Sequence, residues 1–187
     1  MNGNVLMSLV WNQPTYDRDG FGSGDPRGLH SDIMATRGVQ RLRELGIEHE
    51  VLVYRYVERG ARIAADAVGL PPGMVLKSLV FRAGDGAFLF ALIGGDGHVS
   101  GRKLARAVGH KHVEAAAPRD AERVTGYRVG GISPLGSRHA LAAVLDEETA
   151  AHPTLVINAG ARGTLVRLAA VDLISALQAS IADIRTG

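Results

Sequence analysis

The heptapeptide Gly130-Gly131-Ile132-Ser133-Pro134-Leu135-Gly136 constrains this chain more than any other stretch. Its glycines leave the backbone free to take positive φ and let another group approach the amides closely, while Pro134 fixes one φ and stiffens the bend. Such a loop can present several N–H groups to a carbonyl or phosphate oxygen, although the same composition also fits an ordinary tight turn. The second informative residue is Lys77, set inside the apolar run Met74-Val75-Leu76-Lys77-Ser78-Leu79-Val80-Phe81. An unpaired ammonium is costly to bury. This lysine therefore belongs at a strand end or a cavity mouth, or its head snorkels to water along a packed stem. Together the two features predict a small pocket lined by backbone amides and one amine.

At 187 residues, with 46% hydrophobic and 21% charged side chains, the chain is long enough for one compact domain and too short for two large ones. The absence of cysteine excludes disulfides, thiolate nucleophiles and Cys-ligated zinc, and points to the cytoplasm. Seven histidines show no metal-ligand spacing, so no metal and no cofactor are expected. The formal charge is only +2, but Arg102, Lys103, Arg106, Lys111, Arg119, Arg123 and Arg128 fall within residues 101–128 against three carboxylates. That stretch reads equally as a phosphate-contacting face and as the solvated side of two amphipathic helices.

Residues 1–33 read as a flexible extension. Val5 to Trp11 is apolar but too short to span a bilayer and lacks a basic start, and a biological start at Met34 is a further expectation. Residues 34–187 are expected to form a single domain. Within it, helical spacing predicts helices over 35–46, Ile63 to Val68, 101–109, Pro118 to Thr125 and Val171 to Ile184. Strands are expected over 48–56, around Lys77, Ala87 to Ile93, 112–116, Ala143 to Leu145, Thr154 to Ala159 and Thr164 to Leu168. Hairpins are marked by Asp85-Gly86 and Gly160 to Gly163. Short strands joined largely by hairpins, with helices interspersed, argue for an α+β fold with a curved mixed or antiparallel sheet.

From about Gly38 to Asp183 the chain resembles the YbaK and prolyl-tRNA-editing family of aminoacyl-tRNA deacylases. The resemblance is carried by Val75-Leu76-Lys77-Ser78-Leu79-Val80, by Thr125 to Gly136 and by Gly160-Ala161-Arg162-Gly163. It implies a partial barrel surrounded by helices, with the substrate cleft between the lysine strand and the glycine loop. It also implies hydrolysis of mischarged aminoacyl-tRNA, with tRNA(Pro) bearing Cys, Ala or another small amino acid as the expected substrate. By the same resemblance Lys77 would contact the aminoacyl carbonyl or the terminal nucleotide. Gly130 to Pro134 would be the G-x-x-x-P loop, in which the backbone of Gly130 and Gly131 serves catalysis and Ile132, Ser133 and Pro134 shape the substrate site. Tyr54 would stand at the rim and Asp146 near the site, though simple packing for Tyr54 and capping or pairing for Asp146 are equally open. Asn158 stands where YbaK-type relatives have serine, and Ala161 replaces a usual lysine. Arg102, Lys103 and Arg106 are the expected tRNA contacts, and a prolyl-tRNA synthetase is a further expected partner; neither DNA nor membrane is expected. A tRNA- or synthetase-binding module without catalysis is the alternative from a different class.

Overall fold

The computed structural model describes the backbone of Leu6–Ser8 and residues 36–187. The flexible extension expected over residues 1–33, apart from that strand, and the expected start at Met34 lie outside the described residues. In chain order the elements begin with β1 (Leu6–Ser8), α1 (Arg37–Glu44), β2 (Glu50–Val53) and α2 (Ala61–Val68). A 3-10 turn (Pro72–Met74) leads into the hairpin of β3 (Leu76–Ala83) and β4 (Phe88–Gly94). Then come α3 (Gly101–Ala107), β5 (Val113–Ala115), α4 (Pro118–Thr125), β6 (Ala142–Asp146) and α5 (Glu147–Ala150). A second hairpin, β7 (Thr154–Ala161) and β8 (Thr164–Ala169), precedes α6 (Ala170–Leu177) and β9 (Ser180–Ala182).

Local chemistry sets the helix ends. Thr36 Oγ1 accepts from the Val39 amide to cap α1, and Ser100 Oγ accepts from Lys103 to cap α3. Pro118 opens α4, where its missing N–H costs nothing, and Gly126 closes it at φ 72°.

The strands form two open sheets, one ordered β1-β2-β8-β7 and the other β5-β3-β4-β6-β9. Both are mixed: β4 pairs parallel with β6 and β6 with β9, while β3 pairs antiparallel with β4 and β5. The fold is thus mixed α+β. Period-two alternation decides which core each side chain enters. Val80, Phe90, Leu92 and Leu145 face a central core shared with α1, α4 and α6, whereas Phe81, Leu89, Ala91 and Val144 face α3. On the other sheet Val51, Leu155 and Ile157 face the central core, and Leu52, Val156 and Leu165 pack on α2.

The expected closing helix is corrected by the structure. It ends at Leu177, Gln178 turns the backbone at φ 49°, and the following residues form β9, paired parallel with β6 through Leu145 and Ile181. Leu173, Ile174, Leu177 and Ile181 keep helical spacing, yet Ile181 is 51% exposed. Backbone pairing at the outer edge of β6 outweighs one more turn of helix there.

Candidate functional site

A cavity lies where the two sheets part. Val75 makes an isolated parallel bridge to Val156 of β7, and no ladder continues beyond it. On the same side β5 covers β3 only along Phe81–Ala83, and Ala116 N–H donates to the Val80 carbonyl. Because backbone groups alternate along a strand, the Ser78 N–H and C=O face the same edge as the Val80 carbonyl, with no strand opposite them among the described residues. A cavity of about 420 Å³ fills this gap, lined among others by Tyr54, Tyr56, Lys77, Gly130, Ile132 and Asn158.

The loop after α4 forms the wall facing β3. Gly130 sits at φ 91°, a conformation that favours glycine, and a Cβ there would lie 2.4 Å from the Tyr56 hydroxyl and displace that side chain. Asn158 clasps the loop to β7: its Nδ2 donates to the Gly130 carbonyl at 3.2 Å and its Oδ1 accepts from Gly160 N at 2.7 Å. Arg162 donates through Nε and Nη2 to the Val129 carbonyl at 3.0 and 2.9 Å. The Gly131 amide is engaged in a turn with the Arg128 carbonyl at 2.9 Å, whereas the Gly130 and Ile132 amides find no acceptor among the described residues. Ser133 and Pro134 lie buried behind this wall. Ser133 Oγ accepts from Leu135 N at 3.2 Å, and Tyr127 braces the bend by donating its hydroxyl to the Leu135 carbonyl at 2.7 Å.

Lys77 is half-buried and donates to the Gly97 carbonyl in the loop after β4. Burial lowers its pKa below the ordinary lysine value; Arg185 and Arg62 push the same way and Asp96 opposes them. An ammonium carries three donors, so the bond to Gly97 leaves two for a ligand. The Gly97 loop rests on Arg185, whose Cζ lies 2.8 Å from where a Gly97 Cβ would stand. Arg185 in turn bonds Asp146 through Nε at 3.3 Å and Nη2 at 3.1 Å, and Asp96 through Nη1 at 3.4 Å. Asp146, 1% exposed, also caps α5 by accepting from Thr149 N and Oγ1 at 3.2 and 2.9 Å. It does not line the cavity and meets the Lys77 surroundings through Arg185 and through Thr149, whose Oγ1 accepts from the Gly94 amide at 3.0 Å.

Tyr54 does line the cavity, and burial followed by Tyr56 raises its phenol pKa. Arg102, Lys103 and Arg106 lie on α3, away from the cavity, with Lys103 paired to Asp183 at 2.7 Å. Two residues of the wall escape the sequence reading. Tyr56 follows Tyr54 at the spacing that keeps both on one face of an extended strand, which was the available signal. Ser78 Oγ is shielded from solvent with no hydrogen-bond partner among the described residues, and nothing in its apolar neighbours marks it. Among the described residues no group of three or more His, Asp or Glu is placed to hold a metal ion, and no helix is long and apolar enough to cross a membrane.

The model of the aminoacyl-tRNA editing domain matches residues 59–176, a span that contains Lys77, the whole Gly130 to Pro134 loop and Asn158. The chain belongs to the aminoacyl-tRNA editing domain family. EbsC of Enterococcus faecalis, named as a candidate Cys-tRNA(Pro)/Cys-tRNA(Cys) deacylase, is 32% identical over 126 residues, 67% of this chain and 77% of EbsC. A proline–tRNA ligase of Trichlorobacter lovleyi is 33% identical over 95 residues, 51% of this chain but 16% of the ligase, so the likeness is to one segment of a much larger enzyme. A crystal structure of a candidate trans-editing enzyme for prolyl tRNA synthetase has a TM-score of 0.70 at 29% identity, covering 88% of this chain and 100% of that one. Membership makes aminoacyl-tRNA editing the function class of this editing domain, and Tyr54 and Tyr56 extend its cavity just before the matched span.

Proposed function

We propose that this editing domain is a trans-editing hydrolase that deacylates mischarged aminoacyl-tRNA, with tRNA(Pro) as the carrier and cysteine or alanine as the amino acid. The observation that carries the reading is a single cavity whose walls include Lys77, Gly130 and Ile132. Its volume, about 420 Å³, is within the range of small-molecule sites and accommodates an aminoacyl group on a terminal ribose.

An aminoacyl ester is already activated, so its hydrolysis needs an oriented water and donors for the tetrahedral oxyanion rather than a protein nucleophile. Water adds to the carbonyl carbon and gives up a proton to solvent, directly or by way of the vicinal ribose hydroxyl, which takes it up while passing its own proton on. The carbon–oxygen bond to the ribose then breaks and that ribose oxygen takes a proton, leaving free amino acid and deacylated tRNA. The Gly130 and Ile132 amides and the Lys77 ammonium meet the developing negative charge. Gly131 acts by holding the turn, Ser133 and Pro134 by stiffening it, Tyr54 by closing the rim and Asp146 by fixing Arg185 beneath the Gly97 loop.

Side-chain selection follows from the wall chemistry. Both polar atoms of Asn158 are engaged in holding the loop, so what faces the amino acid is mostly apolar, including Ala61, Ala64, Val75, Ile132 and Leu165. A hydroxyl that does not reach the Ser78 edge stays unpaired in such surroundings, which ranks cysteine and alanine above serine. A prolyl-tRNA synthetase is the partner that would release this substrate.

The deciding experiment is a deacylation screen with Cys-, Ala-, Ser- and Pro-tRNA(Pro). Cys-tRNA(Pro) and Ala-tRNA(Pro) are expected to be cleaved at least about tenfold faster than Ser-tRNA(Pro), the discrimination available from one unsatisfied polar group. Tight tRNA binding with no hydrolysis of any of the four would select the binding-module reading instead.

A further inference from the structure

The basic run that is contiguous in sequence is divided by the fold. Arg102 and Arg106 ride on α3, on the far side of the five-stranded sheet from the central core, whereas Arg119 and Arg123 lie on α4. There they join arginines from other parts of the chain. Two adjoining shallow depressions, which share Gly126, Tyr127 and Arg128, are lined by Arg37, Arg119, Arg123, Arg128, Arg138 and Arg162. All six are exposed, and they come from four separate segments: α1, α4, the loop after α4 and the β7–β8 hairpin. A solvated helix face does not explain a cluster gathered in this way.

The opposing charge is small. Glu122 lies 3.7 Å from Arg128, and Asp120 pairs with Arg123 at 3.0 Å. Arg128 stays 85% exposed despite its partner, and Arg119 has no ion pair with any described residue. Arg37 Cζ sits over the Tyr127 ring, 4.0 Å from its centroid, and Nη2 donates to the Gly126 carbonyl at 2.7 Å, so its guanidinium is positioned rather than floppy. The shelf also begins where the cavity wall ends: Val129 and Gly130 line the cavity, and Arg128, Gly131 and Arg162 line the shelf.

We propose that this arginine shelf, and not the α3 face, binds the phosphates of the tRNA acceptor arm. The inference rests on the cavity holding the aminoacylated ribose. The phosphates next to that ribose must leave the cavity across one of its rims, and the Gly130 rim meets six guanidinium groups suited to phosphate oxygens.

The test is binding of 5′-labelled, uncharged tRNA(Pro), followed by fluorescence anisotropy over a range of KCl concentrations. Combining Arg119→Gln, Arg128→Gln and Arg138→Gln is expected to raise Kd at least about tenfold and to reduce the slope of log K against log salt by about 2. Combining Arg102→Gln with Arg106→Gln is expected to leave Kd within about twofold, since those side chains then contact no phosphate. Equal or greater weakening by the α3 pair, an unchanged slope in the shelf variant, or no tRNA binding by the native chain would overturn the proposal. Thermal melts of both variants exclude misfolding as the cause. Binding is read without turnover, so a native chain that binds through the shelf but hydrolyses nothing refutes the deacylase reading and leaves the shelf standing.

Discussion

Lys77→Ala is expected to lower kcat/KM for Cys-tRNA(Pro) by about 100- to 1000-fold, the usual cost of deleting one donor that meets an oxyanion. The loss should fall mainly on kcat, because the full negative charge exists only in the transition state. The pH profile carries the same assignment. Burial lowers the Lys77 pKa, so its charged form is lost as pH rises through a value below the ordinary lysine range. After subtraction of spontaneous ester hydrolysis, kcat/KM should therefore decline on the alkaline side earlier than an exposed lysine would allow. Lys77→Arg should abolish that decline, since a guanidinium stays protonated. A profile with no alkaline limb in the native enzyme, or Lys77→Ala activity within about threefold of native, would remove Lys77 from the chemistry.

Asp146→Ala is expected to cost about 3 kcal/mol of stability, because it leaves Arg185 facing the site of a lost, nearly inaccessible carboxylate. For a chain of this size that is a fall of about 6–12 °C in Tm. Part of the loss is the α5 cap, where Thr149 N and Oγ1 both lose an acceptor. Replacing both members of the pair, Asp146→Leu with Arg185→Met, should recover part of the loss, since no charge is then stranded. A drop under about 2 °C for Asp146→Ala would mean that Asp96 and Glu148 alone suffice to hold Arg185.

Local signals made most of the fold legible. Ser100 and Pro118 mark helix starts, Gly69 and Gly126 mark ends, and Asp85-Gly86 marks the first hairpin, all from interactions within a few residues. The Gly130 to Pro134 loop was legible for the same reason: its composition permits the φ of 91° that the structure uses at Gly130. What could not be read depends on pairing at a distance. β9 forms because β6 offers it an open edge, and Ile181 gives no local hint of that edge. The part played by Asn158 is fixed by a carbonyl 28 positions earlier, at Gly130, and the arginine shelf by side chains as far apart as Arg37 and Arg162. Asp146 drew notice as an acid near the site, but its partner, Arg185, lies 39 positions further on and sets what it does.

The most direct test of the site is the structure of this editing domain bound to 3′-alanylamino-3′-deoxyadenosine, in which an amide replaces the labile ester. The adenosine ribose is predicted to enter the cavity between β3 and the glycine loop, with its carbonyl oxygen about 3 Å from the Gly130 or Ile132 amide and the Lys77 amine facing it. An analogue seated elsewhere on the molecule, or bound in the cavity with its carbonyl turned away from both the loop and Lys77, would contradict the assignment.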